Sequence, residues 1–193
     1  MKKVSSTGLL LLALIFGVAS CNQESGAVEE AQEANEEMAE GMEMEDQIEE
    51  QSEFLTKAAS GGMMEVELGK LAQQKGQMKE VKDFGTMMVN DHQKVNQELK
   101  AHAARLNITL PDSMGEKHME HVKELRNKTG AEFDKAYMDL MVSDHKEDVE
   151  MFENAAKDLE DPQLKTFVSN TVTTLRQHHD RAKQVNDMVQ KKK

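Results

Sequence analysis

Apolar side chains recur every three or four residues along most of residues 53–190, and this helical period limits the possible folds more than any other feature. Such a stripe runs through residues 53–76, 78–106, 131–159 and 162–190. The last stripe consists of Leu164, Val168, Thr171, Leu175, His178, Ala182, Val185 and Val189. The pattern predicts an all-α protein in which residues 53–190 form a four-helix bundle, with a short extra helix between the second and third long helices.

The first 21 residues have the features of an export signal. Two lysines precede an apolar run at residues 9–18, which is too short for a permanent membrane span. The tetrapeptide VASC at residues 18–21 resembles the lipobox of bacterial lipoproteins, and this resemblance implies cleavage after residue 20 and lipidation of Cys21. We therefore predict a signal peptide at residues 1–20 and a lipid anchor in the cell envelope. An ordinary secretory signal with an incidental cysteine is the alternative.

A strongly acidic segment separates this signal from the apolar stripes. Residues 22–53 contain thirteen acidic residues and no Lys or Arg, whereas residues 54–193 have a net charge of −1. The segment has few bulky apolar side chains, so burial cannot offset the entropy lost on ordering. We predict an acidic, disordered tether over residues 21–52. The alternative is an arm that collects cations, with Met38, Met42 and Met44 among its carboxylates.

Two of the predicted helices share a sequence motif. Residues 84–99 (FGTMMVNDHQKVNQEL) align with residues 137–152 (YMDLMVSDHKEDVEMF) at an offset of 53, with Met-Val-x-Asp-His in common. Two halves built on one helix-pair plan explain this repeat, and ferritin-like bundles are built in that way. We therefore expect a ferritin-like bundle. The long connection before the third helix permits either an up-down or a crossover topology.

Each stripe also carries one polar residue that can bind a metal: Glu65, His92, His145 and His178. At 1.5 Å per residue, all four lie near the middle of the bundle. Three imidazoles and a carboxylate suit a mononuclear site for Zn, Fe or Cu. Asp91 and Asp144, each preceding a histidine, are expected to orient an imidazole on a neighbouring helix. The alternative is a buried polar network that only fixes the register of the helices.

Methionines fall on or beside the same stripes, at Met63, Met64, Met87, Met88, Met138, Met141 and Met151. Methionine at such positions ordinarily fills gaps in a core. Copper handling by methionine and histidine is the alternative.

The segments GGMMEVELGKLAQQKG, VKDFGTMMVNDH, FDKAYMDLMVSDH and LRQHHDRA, in this order, resemble an uncharacterised bacterial envelope family. Its members are often labelled predicted outer membrane proteins and have a ferritin-like four-helix domain of unknown function. The resemblance implies this fold and an outer-membrane location in a Gram-negative bacterium. Di-iron ferritin-like proteins use Glu-x-x-His on two helices. Here Val89, Val142 and Leu175 precede the histidines by three, which disfavours ferroxidase chemistry.

Composition and motifs narrow the possible functions. The chain has a net charge of −12, no large basic cluster and no glycine-rich phosphate loop, so nucleic-acid and nucleotide binding are disfavoured. No catalytic serine or cysteine pattern is recognisable. We expect a lipid-anchored envelope protein that acts in binding or stress protection, with the membrane as its partner. A metal-dependent oxidase or peroxide-consuming enzyme, and a purely structural envelope partner, are the alternatives.

Overall fold

The computed structural model describes residues 26–192, so the predicted signal peptide and Cys21 lie outside the described residues. The helices are α1 (Ala27–Ala39), α2 (Glu45–Lys75), α3 (Lys79–Leu106), α4 (Glu116–Arg126), α5 (Gly130–Asp158) and α6 (Pro162–Lys191). Residues 26–192 contain no strand, which confirms the all-α prediction. None of these helices combines the length and the apolarity needed to cross a membrane.

The four long helices pack as two antiparallel pairs, α2 with α3 and α5 with α6. Between the pairs, α3 contacts α6 and α2 contacts α5. The short α4 packs against α2 and α5, while α1 packs against α2. The four predicted stripes thus correspond to α2, α3, α5 and α6, and the predicted extra helix corresponds to α4.

Contacts at the two ends of the bundle show how the chain joins the pairs. In the α2–α3 turn, the backbone N–H groups of Gln77 and Met78 each donate to the Asp134 carboxylate of α5 at 2.8 Å. At the opposite end, Arg105 of α3 donates to Asp161 in the α5–α6 turn. The start of α5 and the end of α3 therefore lie at opposite ends, and the connection that contains α4 crosses the length of the bundle.

The α2 and α3 backbones approach closely at two glycines. A Cβ atom on Gly69 would lie 2.8 Å from the carbonyl oxygen of Gly85, and one on Gly85 would lie 2.7 Å from that of Gly69. Such distances leave no room for a methyl group on either helix. The small residues of the α2 stripe therefore set the spacing of this helix pair.

The apolar core forms two clusters, one toward each end of the bundle. Leu55 and Leu99 belong to the first cluster, and Phe84 and Tyr137 belong to the second. Along each long helix, the change from one cluster to the other falls at or beside the predicted polar residue. The two clusters therefore enclose a polar layer from both sides.

The structure corrects the prediction of a disordered tether over residues 21–52. Its described part is mostly helical, because it contains α1 and the start of α2. Ala31, Asn35 and Ala39 recur every four residues and are buried, and the glutamates of α1 remain exposed. The Asn35 amide also exchanges two hydrogen bonds with the backbone of Thr109, at 2.9 and 2.7 Å. A narrow stripe of small side chains is thus enough to dock this acidic helix.

Candidate metal centre

One polar residue from each long helix enters the layer between the two core clusters: Glu65 of α2, His92 of α3, His145 of α5 and His178 of α6. None of these residues is more than 2% exposed. The centroids of the three imidazole rings lie 5.2 to 5.6 Å apart. The helices therefore bring together the four residues that the sequence singled out.

Each imidazole uses one nitrogen to contact a fixed acceptor. His92 Nδ1 lies 2.6 Å from Glu65 Oε2, and His178 Nε2 lies 3.1 Å from Asp91 Oδ2. His145 Nδ1 lies 3.1 Å from the carbonyl oxygen of Met141, one turn earlier on the same helix. A carbonyl only accepts hydrogen bonds, so His145 Nδ1 is the donor and its Nε2 carries the lone pair. His92 and His178 likewise donate to Glu65 and Asp91 through one nitrogen, so that the lone pair lies on the other nitrogen of each ring.

The second nitrogen of each ring has no hydrogen-bond partner within the described residues: His92 Nε2, His145 Nε2 and His178 Nδ1. One nitrogen from each ring lies within 4.8 Å of one nitrogen from each of the others. We call these three residues the histidine cluster. Neutral imidazoles that are held by acceptors on one side and free on the other are the usual form of histidine ligands to metals.

Burial keeps these imidazoles neutral. It lowers the pKa of His92 and of His178 to about 4. Burial, together with the neighbouring His92 and His178, also holds the pKa of His145 well below its usual value. A neutral imidazole has the lone pair that a metal needs, so at neutral pH the histidine cluster is in its metal-binding form.

Three carboxyl groups lie beside the histidine cluster: Glu65 of α2, and Asp144 and Asp148 of α5. One ligand atom from each lies within 4.8 Å of the others and of a nitrogen of His145. We call these three residues the carboxyl cluster. Burial is the largest cause that raises the pKa of each well above its usual value, and repulsion from a neighbouring carboxylate raises it further, although a hydrogen bond with Asp148 lowers the pKa of Glu65. Mutual repulsion and burial thus both oppose ionisation of this cluster.

The arrangement differs in three details from the predicted site. Glu65 belongs to the carboxyl cluster, and its two oxygens lie 2.6 Å from His92 Nδ1 and 3.3 Å from His145 Nε2. Asp91 hydrogen-bonds an imidazole on a neighbouring helix, whereas Asp144 Oδ2 has no hydrogen-bond partner among the described residues. Asp148 was not predicted. Its position three residues after His145 and four after Asp144 places it on the same face of α5, which is the signal that could have identified it.

Other candidate ligands lie outside this layer. The imidazole of His118 contacts Ser60 Oγ at 2.6 Å and ties α4 to α2. Met64, Met88 and Met141 are fully buried in the apolar cluster that contains Phe84. These methionines fill the core.

The comparisons agree with the expectation of an uncharacterised family. Residues 30–185 match the family model described as "Domain of unknown function (DUF4142)". The match includes most of α1 and every residue of the histidine cluster and the carboxyl cluster. No curated protein and no solved structure matches the chain at a significant level. Because the family model covers well over half of the sequence, the chain belongs to the DUF4142 family, a domain of unknown function.

Proposed function

We propose that this protein binds one first-row transition-metal ion through His92, His145 and His178. The observation that carries the proposal is the set of three buried, unpartnered imidazole nitrogens that lie near one another in the polar layer. The opposite nitrogens face Glu65, Asp91 and the Met141 carbonyl, which hold the rings in place. Zn, Fe and Cu are the metals that neutral imidazoles suit best.

A polar network that only fixes helix register explains the same residues less well. Such a network satisfies its members with each other, because a buried group without a partner costs about 1–3 kcal/mol. Here three ring nitrogens in one layer lack partners. A shared metal ion satisfies all three at once, which supports a binding site over a purely structural network.

Metal analysis with a matched pair of variants tests this proposal. The protein is purified without added metal, dialysed against Zn²⁺ and analysed by elemental mass spectrometry. We expect one Zn²⁺ in the wild type, none in His178→Ala and one in His179→Ala. The control position is adjacent to His178 on α6 and more exposed. Equal zinc content in the two variants would refute the proposal.

Chelation gives an independent test. At a hundredfold excess of metal over Kd, binding to the folded state alone adds about 2.7 kcal/mol. For a chain of this size this stabilisation corresponds to a rise in Tm of about 5–11 °C. We therefore expect a chelator to lower the Tm of the loaded wild type by that amount. It should leave His178→Ala unchanged, whereas a polar network predicts no effect of chelator on either protein.

We further propose that the domain is ferritin-like and that a lipid on Cys21 anchors it in the cell envelope, at the outer membrane. The crossover between two antiparallel helix pairs supports the first statement. The lipobox-like sequence at residues 18–21 supports the second. In that location the protein would act in binding metal ions or in protection against stress.

A further inference from the structure

The carboxyl cluster has no role in the site proposed so far, apart from the contact of Glu65 with His92. Among the described residues, no Lys or Arg forms an ion pair with Glu65, Asp144 or Asp148. Glu65 is 2% exposed, and the two aspartates are half-buried. Buried carboxylates are ordinarily paired with a cation or coordinate a metal. When these carboxyl groups ionise, no Lys or Arg among the described residues pairs directly with them, which leaves room for a bound cation as their partner.

Unpartnered atoms point to where that counter-ion belongs. Glu65 Oε1 and Asp144 Oδ2 are buried and have no hydrogen-bond partner within residues 26–192. Glu65 Oε1 also lies 3.3 Å from His145 Nε2 without forming a hydrogen bond. A cavity of about 10 Å³ lies beside Glu65 and Asp148 of this cluster, and its lining also includes His92 and Asn96. This volume holds about one species the size of a water molecule.

We propose that Glu65, Asp144 and Asp148 bind a second divalent cation next to the metal of the histidine cluster, so that the protein contains a two-metal centre. The inference rests on the proposed function, because the two ions share the layer and Glu65 contacts both clusters. The two donor sets differ in chemistry. Imidazole nitrogens favour Zn²⁺ or Cu²⁺, whereas carboxylate oxygens favour Mn²⁺ and similar oxygen-seeking ions.

The proposed two-metal centre does not need a Glu-x-x-His motif. The carboxylates that such motifs place three residues before a histidine come here from another helix and from other positions on α5. Asp144 directly precedes His145, and Asp148 follows it by one turn. The sequence pattern alone therefore does not exclude paired metals.

A titration with two metals tests the inference. Full-length mature protein is first loaded with one equivalent of Zn²⁺ and then titrated with Mn²⁺, while electron paramagnetic resonance measures the free Mn²⁺. We expect one Mn²⁺ per chain in the wild type. Asp144→Asn and Asp148→Asn should retain zinc and weaken Mn²⁺ binding by at least about tenfold, a loss of about 1.4 kcal/mol. Asp112→Asn, which removes an exposed carboxylate elsewhere, should bind Mn²⁺ normally.

Replacing Zn²⁺ by Cu²⁺ tests whether the two ions are neighbours. Zn²⁺ is diamagnetic and Cu²⁺ is paramagnetic, so only Cu²⁺ in the histidine cluster should broaden the signal of a nearby bound Mn²⁺. An unchanged Mn²⁺ signal would overturn the two-metal centre.

The outcomes separate the two proposals. Stoichiometric zinc without bound Mn²⁺ overturns the second site and leaves the first intact. Failure of the wild type to bind zinc through the histidine cluster overturns the proposed function itself. Mn²⁺ binding that is equal in wild type, Asp144→Asn and Asp148→Asn shows only adventitious binding to acidic residues and overturns the inference. Circular dichroism of each variant checks that it is folded, and the wild-type titration decides the question even where a variant is not.

Discussion

Adding a methyl group should stabilise the protein at Gly61 but not at Gly85. Both glycines lie inside long helices, so an alanine gains about 1 kcal/mol of helix propensity at either position. At Gly61 the nearest atom to the new Cβ is 3.9 Å away, on the His118 ring. At Gly85 the new Cβ would lie 2.7 Å from both the Gly69 carbonyl oxygen and Ala72 Cβ.

The difference between the variants isolates the cost of the close helix approach, because the gain in propensity is common to both. Overpacking of a tight contact costs about 1–3 kcal/mol. Gly61→Ala should therefore raise the free energy of unfolding by about 1 kcal/mol. The free energy of unfolding of Gly85→Ala should be about 1–3 kcal/mol lower than that of Gly61→Ala. With a urea m-value near 2 kcal/mol/M, the two midpoints should differ by about 0.5–1.5 M.

Urea unfolding followed by circular dichroism measures both midpoints, and zinc binding adds a functional readout. Gly85 lies two turns before His92, and Gly69 lies one turn after Glu65. Wider spacing of α2 and α3 should therefore disturb the 2.6 Å contact between Glu65 and His92 and weaken zinc binding in Gly85→Ala only. Equal midpoint shifts in the same direction would refute the packing argument.

Three further predictions concern α1, the pH dependence of metal binding and the anchor. Asn35→Ala removes both hydrogen bonds to the Thr109 backbone and should lower the free energy of unfolding by about 1–3 kcal/mol, since each such bond contributes about 0.5–1.5 kcal/mol. An unchanged urea midpoint would contradict the docking of α1. Burial lowers the pKa of His92 and His178 to about 4, so protons should compete with Zn²⁺ only below about pH 5. Calorimetry at a series of pH values measures the zinc affinity. An affinity that falls steeply already below pH 6.5, the ordinary pKa of histidine, would contradict this expectation. Cys21→Ala should abolish incorporation of radiolabelled fatty acid and release the protein from membranes or leave it as a precursor, and labelling that persists in the variant would exclude the anchor.

Helical periodicity predicted α2, α3, α5 and α6 because each buries a long stripe that recurs at helical spacing, even in α2, where many of the buried side chains are small. It missed α1, whose buried positions are small or polar, such as Ala31 and Asn35, within an acidic segment. Composition averages over all faces of such a helix, whereas docking depends on one. The periodicity also placed the start of α2 too late. This helix begins at Glu45, but its first turns have no regular apolar stripe from which a helix could be predicted.

The site could be predicted to the level of a layer but not to the level of individual bonds. Position along each helix places Glu65, His92, His145 and His178 at a common depth, since the rise per residue is constant. Which nitrogen of a ring is free depends on the neighbouring helix, and the sequence does not specify that neighbour. For Asp148 the spacing along α5 indicates only that it shares a face with His145, whereas its closeness to Glu65 depends on how α2 packs against α5.

The division of the bundle into two helix pairs affects how the protein opens. Most contacts lie within the pairs, so the seam between them is the plane along which the metal-free fold separates most easily. His92 comes from one pair, and His145 and His178 come from the other. An ion bound to all three bridges the seam and makes the two pairs one cooperative unit. Amide hydrogen exchange should then proceed at two distinct rates for the pairs in the metal-free protein and at one common, slower rate in the loaded protein.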